Sequence, residues 1–200
     1  ACIDWVAACF EYYGEVARSS YGNSVPPVAP HQLNFTIKEP FGVVAAIVPF
    51  NFPLLLMAWK VAPAIAAGNT VVCKPPHQNP LSNLKLAEVY ELLPPGVVNV
   101  LTGGADAGTA LVEHPDVDLV AFTGSTAVGR RIAAAAGAQL KKVNLELGSV
   151  DPFIVFKDAD LDVAVDLDGA NLRGAVTALG TLGLRPRLPS SPAELADEGL

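Results

Sequence analysis

The sequence predicts an α/β fold: a parallel sheet with helices packed on both of its faces. Three observations carry this. Short apolar runs rich in β-branched residues alternate with helical patterns from residue 42 to residue 147. Those runs are continuously apolar rather than alternating, as strands buried on both faces are. Each is joined to the next through a helix, and a strand–helix–strand unit returns to the same sheet in parallel.

The elements follow in order. Ile3, Val6, Ala7, Phe10, Tyr13 and Ala17 recur at helical spacing, so the first twenty residues read as an amphipathic helix. Tyr21 to Pro30 is a turn-rich linker, and Leu33, Phe35 and Ile37 alternate with polar residues as in a half-buried strand. Gly42 to Val48 is the first buried strand, and Leu54 to Ala67 a helix closed by Gly68. Thr70 to Cys73 is a strand, Leu81 to Leu93 a helix stopped by Pro94, Pro95 and Gly96, and Val97 to Leu101 a strand. Ala105 to Glu113 is a helix, Leu119 to Phe122 a strand and Ala127 to Ala136 an alanine-rich helix. Strands at Val143 to Leu147 and Phe153 to Phe156 complete the pattern. No internal repeat is present.

Composition narrows the function. The 200 residues carry a net charge of −7 and are 51% hydrophobic. That is ample for one core, and the acidity excludes a basic nucleic-acid surface. Cys2, Cys9 and Cys73 form no metal spacing and no disulfide framework, which points to the reducing cytoplasm. The longest apolar stretch, Val43 to Ala67, is broken by Pro49, Asn51, Pro53, Lys60 and Pro63, so no membrane span is expected. Asp4 and Glu11 interrupt any signal-peptide pattern, and the opening directly into a helix reads as a cut or processed start. After Phe156 there is no aromatic residue, and from Asp166 the text loses periodicity. Residues 166–200 therefore stand apart as an unassigned tail, either an ordinary flexible terminus or the product of an altered reading frame or a truncated gene.

Four segments are candidates for chemistry. Phe122-Thr123-Gly124-Ser125-Thr126-Ala127-Val128-Gly129 follows a strand and opens a helix, where unpaired N–H groups suit phosphate. A plain capped helix start is the competing reading. It is no Walker A loop, since Arg130 and Arg131 stand where Lys and Ser/Thr belong. Thr102 to Gly108 is a second glycine-rich turn, ranked lower because Asp106 repels phosphate. Pro49-Phe50-Asn51-Phe52-Pro53 ends the first buried strand, where ligands of parallel sheets sit, and its Asn amide suits an oxyanion donor or a helix cap. Glu146, between two leucines at a strand end, reads as a general base with a pKa raised by apolar surroundings, or as a solvated Glu. Lys74 ends a strand before Pro75 and Pro76, placed for a ribose or phosphate or as a surface lysine.

Taken together, Pro-Phe-Asn-Phe-Pro, Asn-Thr-Val-Val-Cys-Lys-Pro, Pro-Pro-Gly-Val-Val-Asn-Val, Phe-Thr-Gly-Ser-Thr-x-x-Gly and Leu-Glu-Leu-Gly, in this order, resemble the aldehyde dehydrogenase superfamily. The resemblance runs from the initial helix to about Asp162, and the region assigned to it is 1–165. It implies a Rossmann-like coenzyme fold, NAD or NADP as cofactor, a small aldehyde substrate, and homo-oligomers for intact members. It implies that a cysteine thiolate attacks the aldehyde, an Asn side chain holds the oxyanion, hydride passes to nicotinamide, and a Glu activates water. By similarity Asn51 is the oxyanion donor and Glu146 the base. Coenzyme contacts fall to Pro49, Phe50, Lys74, Pro76, His77, Gly108, Phe122, Thr123, Gly124, Ser125, Val128, Leu147 and Gly148.

Four departures from the family pattern stand out. Phe50 replaces a Trp, Ser149 replaces a second Gly, and His77 stands where many members carry a Glu that binds both ribose hydroxyls. The last of these weakens the expected preference for NAD and admits NADP. The fourth is the nucleophile: its window falls around Val176 to Thr181, and no cysteine follows Cys73. Thr177 and Thr181 are poor substitutes without a strong base partner. The chain is expected to be an inactive fragment; a non-catalytic nucleotide-binding or interaction module is the alternative. A short-chain dehydrogenase is rejected, because no tyrosine is followed by lysine four residues later.

Overall fold

A computed structural model describes residues 2–148. The expected strand Phe153–Phe156 and the tail lie outside the described residues. The elements are α1 (Cys2–Ala17), β1 (Ser24–Val25), β2 (Asn34–Phe35), β3 (Val43–Ile47), α2 (Pro53–Ala66), β4 (Thr70–Lys74), α3 (Leu81–Tyr90), β5 (Val98–Val100), α4 (Ala105–Glu113), β6 (Leu119–Gly124), α5 (Thr126–Ala138) and β7 (Lys142–Leu147).

Five strands form one sheet in the order β5-β4-β3-β6-β7, every neighbouring pair parallel. Counted from β3 the order is 3-2-1-4-5. The chain winds outward one way through β4 and β5, then crosses back to continue through β6 and β7. The crevice between β3 and β6, where the direction reverses, is where such sheets take ligands.

The helices divide between the faces. Val44, Ala46 and Val71 pack with Met57 and Val61 of α2 and Tyr90 of α3 on one face. Ala45, Ile47 and Val120 pack with Leu111 and Val112 of α4 and Ile132 of α5 on the other. Consecutive residues of β3 thus enter opposite cores, which is why its sequence is apolar without alternation. α1 adds an outer layer: its Val6 and Cys9 close on Ala58 and Ala62 of α2. Gly68 ends α2 with φ of +82°, a conformation only glycine adopts without strain. Behind it the buried Asn69 accepts from the Gly42 N–H at 3.0 Å and donates to the Ala64 carbonyl at 3.0 Å, tying the end of α2 to the start of β3.

One expectation fails. Leu33, Phe35 and Ile37 do not form a half-buried strand: only Asn34–Phe35 is extended, paired antiparallel with Ser24–Val25, and all three side chains are exposed. Two-residue strands have too little area to make a face that could bury them. No helix among the described residues is long and apolar enough to cross a membrane.

Candidate functional site

A cleft of about 660 Å³ opens at the C-terminal ends of β3, β4 and β6 and runs between α4 and α5. It brings together most of the residues singled out from the sequence. Pro49 and Phe50 enter from the end of β3; Lys74, Pro76 and His77 from the end of β4; Gly108 from α4. Phe122, Thr123, Gly124, Ser125 and Val128 form the wall made by β6 and α5. Its volume lies within the range of small-molecule sites.

Ser125 is the N-cap of α5. Its backbone is extended (φ −68°, ψ 147°), and its hydroxyl accepts from the Val128 N–H at 3.4 Å. Ser125 and Val128 bring the start of α5 to the cleft wall, and the unpaired N–H groups of a helix start suit an anion. Gly124 before it has no room for a side chain: a Cβ there would lie 2.4 Å from Phe122 Cζ. Both glycine-rich turns reach the cleft, since Gly104, Ala105 and Gly108 line it as well. Asp106, the reason for ranking the second turn lower, does not line it.

Lys74 is only 7% exposed. Its stem passes over Gly108, whose hypothetical Cβ would be 3.6 Å from Lys74 Cδ and Cε. Its ammonium donates to the Pro75 carbonyl at 3.3 Å and forms no ion pair with any described residue. Burial holds its pKa below the ordinary lysine value. A buried ammonium without an anion is a costly arrangement that a ligand bearing oxygens at the cleft would relieve.

The opposite face of the sheet holds a second cavity of about 630 Å³, lined by Lys60, Thr123, Asn144 and Glu146 among others. Thr123, near the end of β6, lines both cavities. Glu146 is exposed on the edge strand β7 and is not enclosed by its flanking leucines. Strand alternation is the reason: Leu145 and Leu147 turn to the α4–α5 core, while Glu146 turns to the α2 side. Leu147 packs onto α5, where a Cβ on Gly129 would be 2.3 Å from Leu147 Cδ2. Neither Leu147 nor Gly148 lines the first cleft.

Asn51 follows β3, is exposed, and lines neither cavity. It does not cap α2, whose N-cap is Phe52 with no side-chain bond. Asn79 donates to the Phe50 carbonyl at 2.9 Å and anchors this loop from the β4–α3 connection. Asn51 and Glu146 thus share the C-terminal end of the sheet but sit on strands separated by β6, about 10 Å by sheet spacing. In the sequence Lys60 stands only as a break in an apolar run. A lysine in α2 beside Met57, Val61 and Ala64 is the signal of a buried cation, and it is 8% exposed. Burial lowers its pKa, and the Glu146 carboxylate pushes it partly back up.

Three comparisons bear on this arrangement. The model of the family described as "Aldehyde dehydrogenase family" matches residues 2–172. Betaine aldehyde dehydrogenase 1 of Oryza sativa subsp. japonica is 50% identical over 167 residues, which is 80% of this chain and 33% of that protein. Among solved structures, a betaine aldehyde dehydrogenase double mutant of Staphylococcus aureus in complex with NAD+ aligns with TM-score 0.77 and 37% identity, over 83% of this chain and 34% of that one. An NADP dependent enzyme of E. coli aligns with TM-score 0.75 and 41% identity, over 89% and 36%. The chain spans about a third of the length of the relatives it matches.

Proposed function

The chain belongs to the aldehyde dehydrogenase family, and on that premise we propose that it is a coenzyme-binding part, assigned to residues 1–165, that takes NAD or NADP in the first cleft. The observation that carries the reading is the cleft at the β3–β6 reversal, walled by the Ser125-capped start of α5 and holding the unpaired ammonium of Lys74. Ser125 and the first N–H groups of α5 would hold the pyrophosphate, and Lys74 with the β4 end the adenosine ribose. When bound, the coenzyme supplies the hydride acceptor. Asn51 presents an amide with no hydrogen-bond partner among the described residues for an oxyanion at the sheet end. Glu146, open to solvent, is the group for holding and deprotonating water.

The nucleophile is a different matter. Cys73, the last cysteine of the sequence, is fully buried in β4, and burial pushes its thiol up to about 12. Cys9 is also buried, and its thiol is likewise raised by burial. We infer that this 200-residue chain binds coenzyme without oxidising aldehyde, which makes it a non-catalytic nucleotide-binding module by itself. The three free cysteines suit the cytoplasm.

Equilibrium titration of the chain with NAD and NADP, paired with a turnover assay on a short aliphatic aldehyde, tests both parts. Saturable binding below millimolar concentration with no reduced coenzyme formed is the expected result. Absence of binding at millimolar coenzyme overturns the binding reading. Turnover abolished by Glu146→Gln overturns the inactivity.

A further inference from the structure

Resting on the dinucleotide reading of the first cleft, we propose that Asn79 is a positioning residue: its amide sets the peptide that joins Phe50 to Asn51, and so aims the loop that carries Asn51. The cleft opens where β3 and β4 part. Their register ends at Ile47 and Lys74, and the last rung runs from the Val48 N–H to the Lys74 carbonyl at 3.4 Å. Pro49 follows on one chain segment and Pro75 and Pro76 on the other, none with an N–H to extend the ladder. Past that point the two connections are free to splay. Asn79 rejoins them: its Nδ2 donates to the Phe50 carbonyl at 2.9 Å, across 29 positions of sequence. Among the described residues no other hydrogen bond from another segment reaches residues 49–52.

A peptide unit is planar and trans, so its carbonyl and N–H point in opposite directions. Holding the Phe50 carbonyl on the Asn79 side therefore fixes the direction of the Asn51 N–H, and with it the backbone from which the Asn51 side chain leaves. Burial does not do this: Asn51 and Phe52 are exposed, and Phe52 caps α2 with no side-chain bond. Asn79 is itself preset. It precedes Pro80, which narrows the backbone of the residue before it, and Pro80 in turn is the N-cap of α3. The donor thus hangs from a helix start and holds a neighbouring wall. Phe50 lines the cleft from the β3 end, His77 and Gln78 from the β4 end. A dinucleotide passes from the β4 end across the β3 end, so its second half meets the wall that Asn79 holds.

The test is Asn79→Ala in the 200-residue chain, followed by backbone nitrogen-15 relaxation and by calorimetric titration with NAD and 5′-AMP. The bond it removes is exposed, so the variant should fold. The order parameter of the Asn51 amide should fall from about 0.85 in the parent to about 0.6. The dissociation constant for NAD should rise about threefold to tenfold, the range one hydrogen bond commands, and that for 5′-AMP less than about twofold. An order parameter unmoved by the substitution overturns the positioning role. Equal weakening of both nucleotides overturns it too, since general loosening of the fold would give that. Failure of both nucleotides to bind the parent removes the dinucleotide reading alone, and the order parameter then decides whether Asn79 holds the loop.

Discussion

Lys60 of α2 and Glu146 of β7 line the same cavity, and the carboxylate partly restores the proton affinity that burial takes from the lysine. Burial is the larger effect, so the folded pKa of Lys60 stays below its unfolded value of 10.5. Between those two values the unfolded chain binds more protons, so stability rises with pH as the folded group neutralises. Below both, the fold carries a buried charge at a cost. Lys60→Met should therefore stabilise the chain by about 1 kcal/mol at pH 7, with a smaller gain near pH 10. Glu146→Gln should lower the Lys60 pKa further and destabilise at pH 7. Urea unfolding at both pH values reads each change; a gain for Lys60→Met that grows with pH would contradict the assignment.

Gly124 and Phe122 make the second prediction. A Cβ at residue 124 would lie 2.4 Å from the Phe122 ring, which is 6% exposed and part of the α4–α5 core. Gly124→Ala must push that ring away, at a cost of about 1–3 kcal/mol. Pairing it with Phe122→Leu should recover part of the loss. A double-mutant cycle showing simple additivity would mean that the two side chains do not compete for this space.

How legible the molecule was follows from the same physics. β3, β4 and β6 announce themselves because burial on both faces removes the polar residues that would otherwise interrupt Val43–Ile47, Val71–Cys73 and Leu119–Phe122. Gly68 and Ser125 mark helix ends through local backbone requirements, visible in a few residues. Side-chain surroundings are set by distant segments and were less legible. The alternation around Phe35 says which side chains share a face, not whether anything covers it. The leucines beside Glu146 belong to the other face of its strand. Lys60 meets Glu146 only because β7 lies two strands from β3 on the side that α2 covers.

Asn83 gives the third prediction. It is 1% exposed on the inward side of α3, and both ends of its amide lack a hydrogen-bond partner. Buried amides without partners are destabilising, and alanine is also the better helix former. Asn83→Ala should raise stability by about 1 kcal/mol, read as a higher urea midpoint at unchanged slope. A loss would mean that the amide is satisfied in solution.

The fourth prediction concerns the thiols. Cys2 is exposed, whereas Cys9 and Cys73 are buried, and Cys73 has its thiol pushed up to about 12 from an ordinary 9.0. Thiolate is the reactive form, so burial and the raised pKa act together against reaction. A disulfide-exchange reagent at pH 8 should label one thiol per chain quickly and the other two only on unfolding. Cys2→Ser should remove the fast phase. The sign of the alkaline effect is also determined. Between 9.0 and about 12 the folded state holds the Cys73 proton that the unfolded state has lost. Stability should therefore be fully retained below pH 9 and decline as pH climbs toward 12. In Cys73→Ala this contribution disappears, so its unfolding midpoint, lower at pH 8 from the lost sulfur packing, should fall less steeply above pH 9. Rapid labelling of Cys73 in the folded chain would place it outside the β4 core and reopen its candidacy as the nucleophile.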